Sequence, residues 1–160
     1  MALVVSDTSP VRALASVGQL GLLPLLFDRI VVPPAVAAEL TNPPAGAVAV
    51  AVDQLSFADI VTPKDPQRVR SLVLELDLGE AEAIALAVEI NASLLIDEAA
   101  GRAVAQRIGL HVTGTVGILI SAKSDGLVTE IRPLLDQLRR NTKFFLNDAF
   151  YDEVLRRAGE

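Results

Sequence analysis

Short runs of consecutive apolar residues alternate along this chain with stretches whose apolar positions recur at helical spacing. Leu3–Ser6 reads as a buried strand. A helix follows it, with Ser9 as the capping candidate and Pro10 at a helix start, where proline is tolerated. Helical material extends to about Phe27, interrupted at Gly18 and Pro24. Ile30–Val32 reads as a second strand, and Pro33-Pro34 opens a helix over Ala35–Leu40 that Asn42-Pro43-Pro44 ends. Ala45–Leu55 is read as a further helix, and Asp59–Thr62 as a third strand stopped by Pro63. Gln67–Leu76 and Glu80–Ile90 read as helices separated by Asp77-Leu78-Gly79. Ser93–Ile96 is a fourth strand, Ala99–Ile108 a helix, His111–Thr113 a short fifth strand, and Gly117–Lys123 a helix closed by Asp125-Gly126. Two last helices are predicted over Glu130–Arg140 and Asp148–Ala158, the latter with Asn147 as its N-cap.

Strands that are apolar throughout, alternating with helices, indicate an α/β fold with a parallel sheet covered on both faces. No internal repeat, low-complexity segment or linker divides the chain. Its 160 residues, 51% of them hydrophobic, suit one core and a single domain over 1–160.

The longest charge-free stretches, Ala13–Phe27 and Ile108–Ala122, are 15 residues long and interrupted by polar residues or glycine. A membrane span needs about 20 apolar residues. The N-terminus has no basic segment and carries Asp7, unlike a signal peptide. No cysteine is present, which excludes disulfides, thiolate zinc and a thiol nucleophile, and fits a reducing cytoplasm. His111 is the only histidine and lies in an apolar stretch, so it reads as a packed or strand-edge residue. Histidine metal clusters are excluded, and a Ser-His-Asp triad is disfavoured.

Four acidic segments remain as candidate chemistry: Asp7, Glu39, the pair Glu80 and Glu82, and the pair Asp97 and Glu98. Asp7 and Asp97 each follow a strand directly. In a parallel sheet all strands end on one edge, where ligands bind. Glu80 begins the helix leading into the fourth strand, and Glu39 lies early in the helix after the second, so both approach that edge. Residues two apart on a helix lie about 200° apart around its axis, so Glu80 and Glu82 cannot share one direction. Glu80 lies on the stripe of Ile84, Ala87 and Val88, which reads as core-facing; Glu82 lies with Ala85, Leu86 and Glu89, which reads as more exposed. Of Asp97 and Glu98, either or both face the edge. Clustered carboxylates raise one another's pKa unless a cation is present, and oxygen-only ligands suit Mg²⁺ or Mn²⁺. Taken singly, each acid also has a bland role in a first helical turn, stabilised by the helix dipole.

At these residues the chain resembles the PIN-domain family of metal-dependent ribonucleases, which includes the VapC-type toxins of toxin–antitoxin pairs. The resemblance covers nearly the whole chain. It rests on Val4-Val5-Ser6-Asp7-Thr8-Ser9, on Glu39 in the helix after the second strand, and on Glu80 opening an Ile-Ala-rich helix. Glu98 then stands 18 residues beyond Glu80, with Asp97 beside it. Gly79–Ile84 (Gly-Glu-x-Glu-Ala-Ile), Asp97–Arg102 (Asp-Glu-x-x-Gly-Arg) and Gly114–Gly117 (Gly-Thr-x-Gly) are similar to a less-characterised branch. The resemblance implies a three-layer α/β/α sandwich with strand order 3-2-1-4-5. It implies cleavage of RNA phosphodiesters with Mg²⁺ or Mn²⁺ held by Asp7, Glu39, Glu80, Asp97 and Glu98. Ser9 would support Asp7 or touch phosphate, and Arg102 would contact RNA phosphate or pair with a nearby acid. Partners implied are an RNA substrate and a small antitoxin protein, with a homodimer expected. Glu80 and Glu98 occupy positions where the family more commonly has Asp.

The net charge of −6 disfavours a simple electrostatic nucleic-acid binder. It is uneven: residues 1–122 hold 7 basic and 13 acidic side chains, residues 123–160 hold 7 of each. Candidate basic patches are Lys64, Arg68 and Arg70, or Lys123, Arg139, Arg140 and Lys143, although such charges are usually solvated helix faces. Two competing readings are a PIN-like protein that acts by binding RNA or protein with weak or no catalysis, and a receiver-like domain phosphorylated on Asp7. The second is weakened because no Asp stands two residues after Asp7.

Overall fold

The computed structural model describes residues 2–141, 144 and 146–160. Along the chain these form β1 (Leu3–Ser6), α1 (Thr8–Ser16), α2 (Leu23–Leu26), β2 (Arg29–Val32), α3 (Pro34–Thr41), β3 (Ala58–Ile60), α4 (Pro66–Leu72) and α5 (Leu78–Glu89). Then come β4 (Ser93–Leu95), α6 (Ala99–Ile108), β5 (Val112–Thr113), α7 (Thr115–Ser124), α8 (Arg132–Asn141) and α9 (Asp148–Arg157).

The five strands make one parallel sheet in the order β3-β2-β1-β4-β5, the order the resemblance implies. β1 is central. Val5 pairs with Val31 on one side and with Leu94 on the other. Successive residues of a strand point to opposite faces, and the sheet uses both. Val4, Ile30, Val32 and Leu95 pack into a core with α1, α3 and α7 to α9. Val5, Val31, Leu94 and Ile96 pack into a second core with α4, α5 and α6. That is why the strands are apolar at every position rather than at every second one.

Several boundaries differ from those read in the sequence, each for a local reason. The first helix begins at Thr8 with Asp7, not Ser9, at its N-cap. Pro10 falls two residues inside, where its missing N–H would still lack a helical partner. The helix stops before Gly18, which has φ +68°. Pro24 opens α2 rather than interrupting it. The helix expected over Ala45–Leu55 does not form. Pro43 and Pro44 end α3, Gly46 turns with φ +84°, and Val50 N–H reaches back to Leu40 O. Only a 3₁₀ turn, Val52–Gln54, occurs there, and buried Val50 and Val52 plug the core. β3 begins one residue early and ends two residues early, although Val61 N–H still bonds to Val32 O. α4 stops at Leu72, four residues short of Leu76, where turns take over. α7 starts two residues earlier than read, at Thr115, and α8 starts later, at Arg132. α9 starts at Asp148, capped by the Asn147 side chain accepting from Phe150 N–H, as read. Among the described residues no helix is long and apolar enough to cross a membrane.

Candidate active site

The carboxyl edge of the sheet gathers the N-termini of four helices around the end of β1. α1 begins one residue after Asp7, α5 two residues before Glu80, α6 one residue after Glu98, and α7 at Thr115. Each N-terminus presents unpaired N–H groups and a partial positive charge, which favours acidic residues there.

Asp7 is the best-buried acid, 4% exposed. Its N–H donates to Leu95 O at 2.9 Å, so the β1–β4 ladder runs one residue past the strand and fixes the Asp7 backbone. Asp7 occupies the N-cap of α1, yet its side chain makes no capping hydrogen bond, so the carboxylate is not committed to the helix. Burial pushes its pKa up to about 7; the Thr8 backbone N–H opposes the rise, and the carboxylates of Glu80, Asp77 and Glu39 add to it.

Glu80 is also buried, 7% exposed, at the third position of α5. It forms a capping box with Asp77. Glu80 N–H donates to Asp77 Oδ1 at 2.8 Å, and Asp77 N–H donates to Glu80 Oε2 at 3.2 Å. Its pKa is raised, first by burial and then by Asp77, with Glu98 and Glu39 adding. Glu82 lies outside the cluster. Its Oε1 accepts the Ala35 N–H at 3.0 Å, so this carboxylate caps the start of α3. The helical-stripe argument thus separates the two glutamates, but its premise is too simple. α5 is buried on most of its circumference, with Ala85 and Leu86 at 1% and 0% exposure.

Glu39 is exposed at the rim, held by Thr8 Oγ1 donating to its Oε2 at 2.7 Å. A Cβ on Gly79 would lie 2.7 Å from Glu39 Oε1, so the Gly79-Glu80 step leaves room for this carboxylate. Asp97 and Glu98 take different places. Asp97 is half-buried and fully engaged: Oδ1 accepts the Thr115 N–H and Oδ2 accepts the Thr115 hydroxyl, each at 2.7 Å. Its pKa is raised by burial, against the pull of Thr115 and Arg102. A Cβ on Gly114 would come within 2.8 Å of Asp97 Oδ1. Glu98 is exposed at the N-cap of α6 and is the one of the pair whose charge acts on Glu80.

Arg102 donates to Ile96 O at 2.9 Å beside Asp97, which supports the pairing alternative for this residue. Ser9 lines the groove next to Asp97 and Glu98, and does not cap the helix. Three members of the two suggested basic patches are paired. Arg68 pairs with Asp65, Lys123 with Glu160, and Arg139 with Asp148 while stacking on Tyr151. Lys143 lies outside the described residues.

The sequence reading missed Asp77. Asp77 stands between the two helices, and Asp77-x-x-Glu80 before an apolar helical run is the signature of the capping box the structure shows. Thr8 and Thr115 stand inside the quoted motifs without an assigned acid, and Arg12 stands in none; proximity in the fold gives each its partner.

The acids therefore form a buried pair, Asp7 and Glu80, with a rim of Glu39, Asp77 and Glu98 and a separately held Asp97. Among the described residues no three of them converge, as they stand, on one point that an ion could fill. The donor chemistry nevertheless fits a hard divalent cation: all ligands are oxygen, and a buried carboxyl with a pKa near neutrality faces further carboxylates. A Mg²⁺ site commonly combines one or two direct carboxylates with water. A family model described as a PIN domain matches residues 3–160. No curated protein and no solved structure matches the chain.

Proposed function

Because the chain belongs to the PIN-domain family, we propose that it is an endoribonuclease that hydrolyses RNA phosphodiester bonds with Mg²⁺ or Mn²⁺. Asp7 carries the reading: a buried carboxyl at the end of the central strand, pushed up to about 7 among Glu80, Asp77 and Glu39. Asp7 and Glu80 would be the inner ligands, with Glu39, Asp97 and Glu98 completing the set and Asp77 beside Glu80. The bound ion would lower the pKa of a water and offset charge on the phosphoryl oxygens. The chain's own groups do the rest. Thr8 orients Glu39, Thr115 orients Asp97, and the capping box fixes Glu80. The Ser9 hydroxyl is available to a substrate phosphate in the adjoining groove.

The resemblance to toxin ribonucleases supports a toxin role in the cytoplasm, with a small antitoxin and a second copy of the chain as partners. Leu74 and Leu78, 86% and 53% exposed, flank Asp77 and offer such a protein an apolar surface. A second reading is a PIN-like protein that binds RNA or a protein partner without cutting. It is favoured by the acids' failure to converge on one ion position among the described residues.

The deciding experiment incubates purified protein with a panel of RNAs and Mg²⁺ or Mn²⁺, beside Asp7→Asn and Glu80→Gln. Cleavage that falls roughly 100-fold or more in both variants supports the nuclease. Equal cleavage by all three proteins marks a contaminant and sinks it. Tight binding without cleavage favours the second reading.

A further inference from the structure

The groove beside the acidic edge carries the opposite charge to the molecule as a whole. It has a volume of about 1460 Å³, and its lining includes Asp97 and Glu98, Ser9 and Arg12 of α1, and Arg140 and Arg157 from the C-terminal helices. Four arginines line it, Arg12, Arg102, Arg140 and Arg157, against the two acids Asp97 and Glu98. Arg157 is itself paired with Glu153 at 2.9 Å, so the surplus over Asp97, Glu98 and Glu153 is one positive charge (four minus three) in a chain with net charge −6. Whole-chain charge hides this local sign, which is what a polyanion meets at close range.

Arg12 is the arginine best placed for such a ligand. Its Nη2 donates to the backbone oxygen of Glu39 at 2.7 Å, which anchors the guanidinium next to a residue of the acidic rim. Its Nε is buried and has no hydrogen-bond partner among the described residues. A buried donor without an acceptor costs free energy, which the partly exposed Arg12 side chain recovers if it shifts to bring Nε against an acceptor in the groove. The edge of a guanidinium matches two oxygens of a phosphate. Arg102, by contrast, is occupied by Ile96 O. Further along, Phe150 lines the groove with 45% of its surface exposed, a flat face on which an unpaired base can stack.

We propose that this groove is the path of a single RNA strand to the acidic edge, and that Arg12 is the residue that positions the phosphate nearest that edge. The proposal rests on the nuclease reading of the acidic edge. Arg140 then contacts the backbone of the strand further out, without selecting its sequence, while Arg157 stays paired with Glu153.

The test measures binding apart from cutting. A fluorescein-labelled single-stranded RNA of about 12 nucleotides is titrated in EDTA with wild type, Arg12→Gln, Arg12→Lys and Arg140→Gln, at several salt concentrations. Cleavage is then followed with Mn²⁺. Arg12→Gln is expected to weaken binding about tenfold and to lower the slope of log affinity against log salt by roughly one. Arg12→Lys should recover part of the affinity. Arg140→Gln, a change at an exposed helix position, should weaken binding about threefold and also flatten the salt slope. In turnover the Arg12 loss should appear mainly in KM. Wild-type affinity and salt slope in both Arg12→Gln and Arg140→Gln overturn the proposal, even if every protein still cleaves; that outcome would leave the groove to a protein partner. Arginine-dependent binding with no cleavage by wild type upholds the groove and sinks the nuclease reading instead.

Discussion

The hydroxyl of Thr8 donates a 2.7 Å hydrogen bond to Oε2 of Glu39, tying the first turn of α1 to an otherwise exposed acid on α3. Thr8 itself is buried, 4% exposed. Thr8→Val keeps the shape and removes the donor. It should lower stability by about 1 kcal/mol in urea unfolding and slow RNA cleavage about tenfold by releasing Glu39. Thr8→Ser should retain most of both. Unchanged cleavage by Thr8→Val would remove Glu39 from the working site.

Asp7 should make the metal-free protein less stable as pH rises. Its carboxyl stays protonated in the folded state up to about 7, whereas the unfolded chain loses that proton near the ordinary value of 3.8. The stabilising contribution is therefore complete below pH 3.8 and is lost as pH climbs through 7. The raised pKa of Glu80 acts in the same direction. By linkage, the Asp7 contribution is on the order of 4 kcal/mol. Melting in EDTA should show Asp7→Asn more stable than wild type at pH 8, with the gap closing towards pH 4. Adding Mn²⁺ should raise the wild-type melting temperature more at pH 8 than at pH 5. A variant less stable than wild type at pH 8 would contradict the burial of an uncompensated charge.

Gly79→Ala tests the packing of the rim. The new methyl would sit 2.7 Å from Glu39 Oε1, the far end of a flexible side chain. Stability should change by less than about 1 kcal/mol, because Glu39 can swing aside and alanine suits a helix. Cleavage should fall about tenfold, because Glu39 is displaced. Equal losses of stability and activity would instead indicate a backbone shift in α5.

Glu160 supplies a control remote from the acidic edge. Its carboxylate accepts the Ile131 and Arg132 N–H groups at 2.7 and 3.1 Å and pairs with Lys123 Nζ at 2.9 Å. Burial alone would raise its pKa, but these partners outweigh it and hold the group below the usual range. The resulting stability is present at neutral pH and is lost as pH falls through the folded-state pKa. Glu160→Ala should cost about 1–2 kcal/mol and leave cleavage per folded molecule unchanged. A matching loss of cleavage would show that the C-terminal helices act on the site.

How much of this was legible follows from how locally each feature is encoded. Leu94-Leu95-Ile96 and Leu3-Val4-Val5 are apolar at every position, so a buried parallel sheet could be read directly. The order of its strands could not, since pairing of Val5 with Leu94 is a long-range choice, and the resemblance supplied it. Strand direction was enough to bring Asp7, Glu39 and Glu80 to one edge. It could not show that Asp97 is taken by Thr115 while Glu98 faces Glu80, because that depends on where α7 begins. The expected helix over Ala45–Leu55 does not form, because Gly46 turns the chain and the segment is held instead by burial of Val50 and Val52, a long-range contact that local spacing does not encode.

β1 lies in the sheet between two strands that both follow it in the chain. Its partner on one side, β2, arrives soon after, but β4, which holds the Asp7 N–H through Leu95, comes much later in the chain. Asp7 thus depends for its backbone partner on a strand some ninety residues further along, and Glu98 follows that strand directly. Pairing across so long a separation closes late in folding. Until β4 is in place the Asp7 backbone lacks its anchor at Leu95 O, so the acidic edge is completed only by a contact between distant parts of the chain.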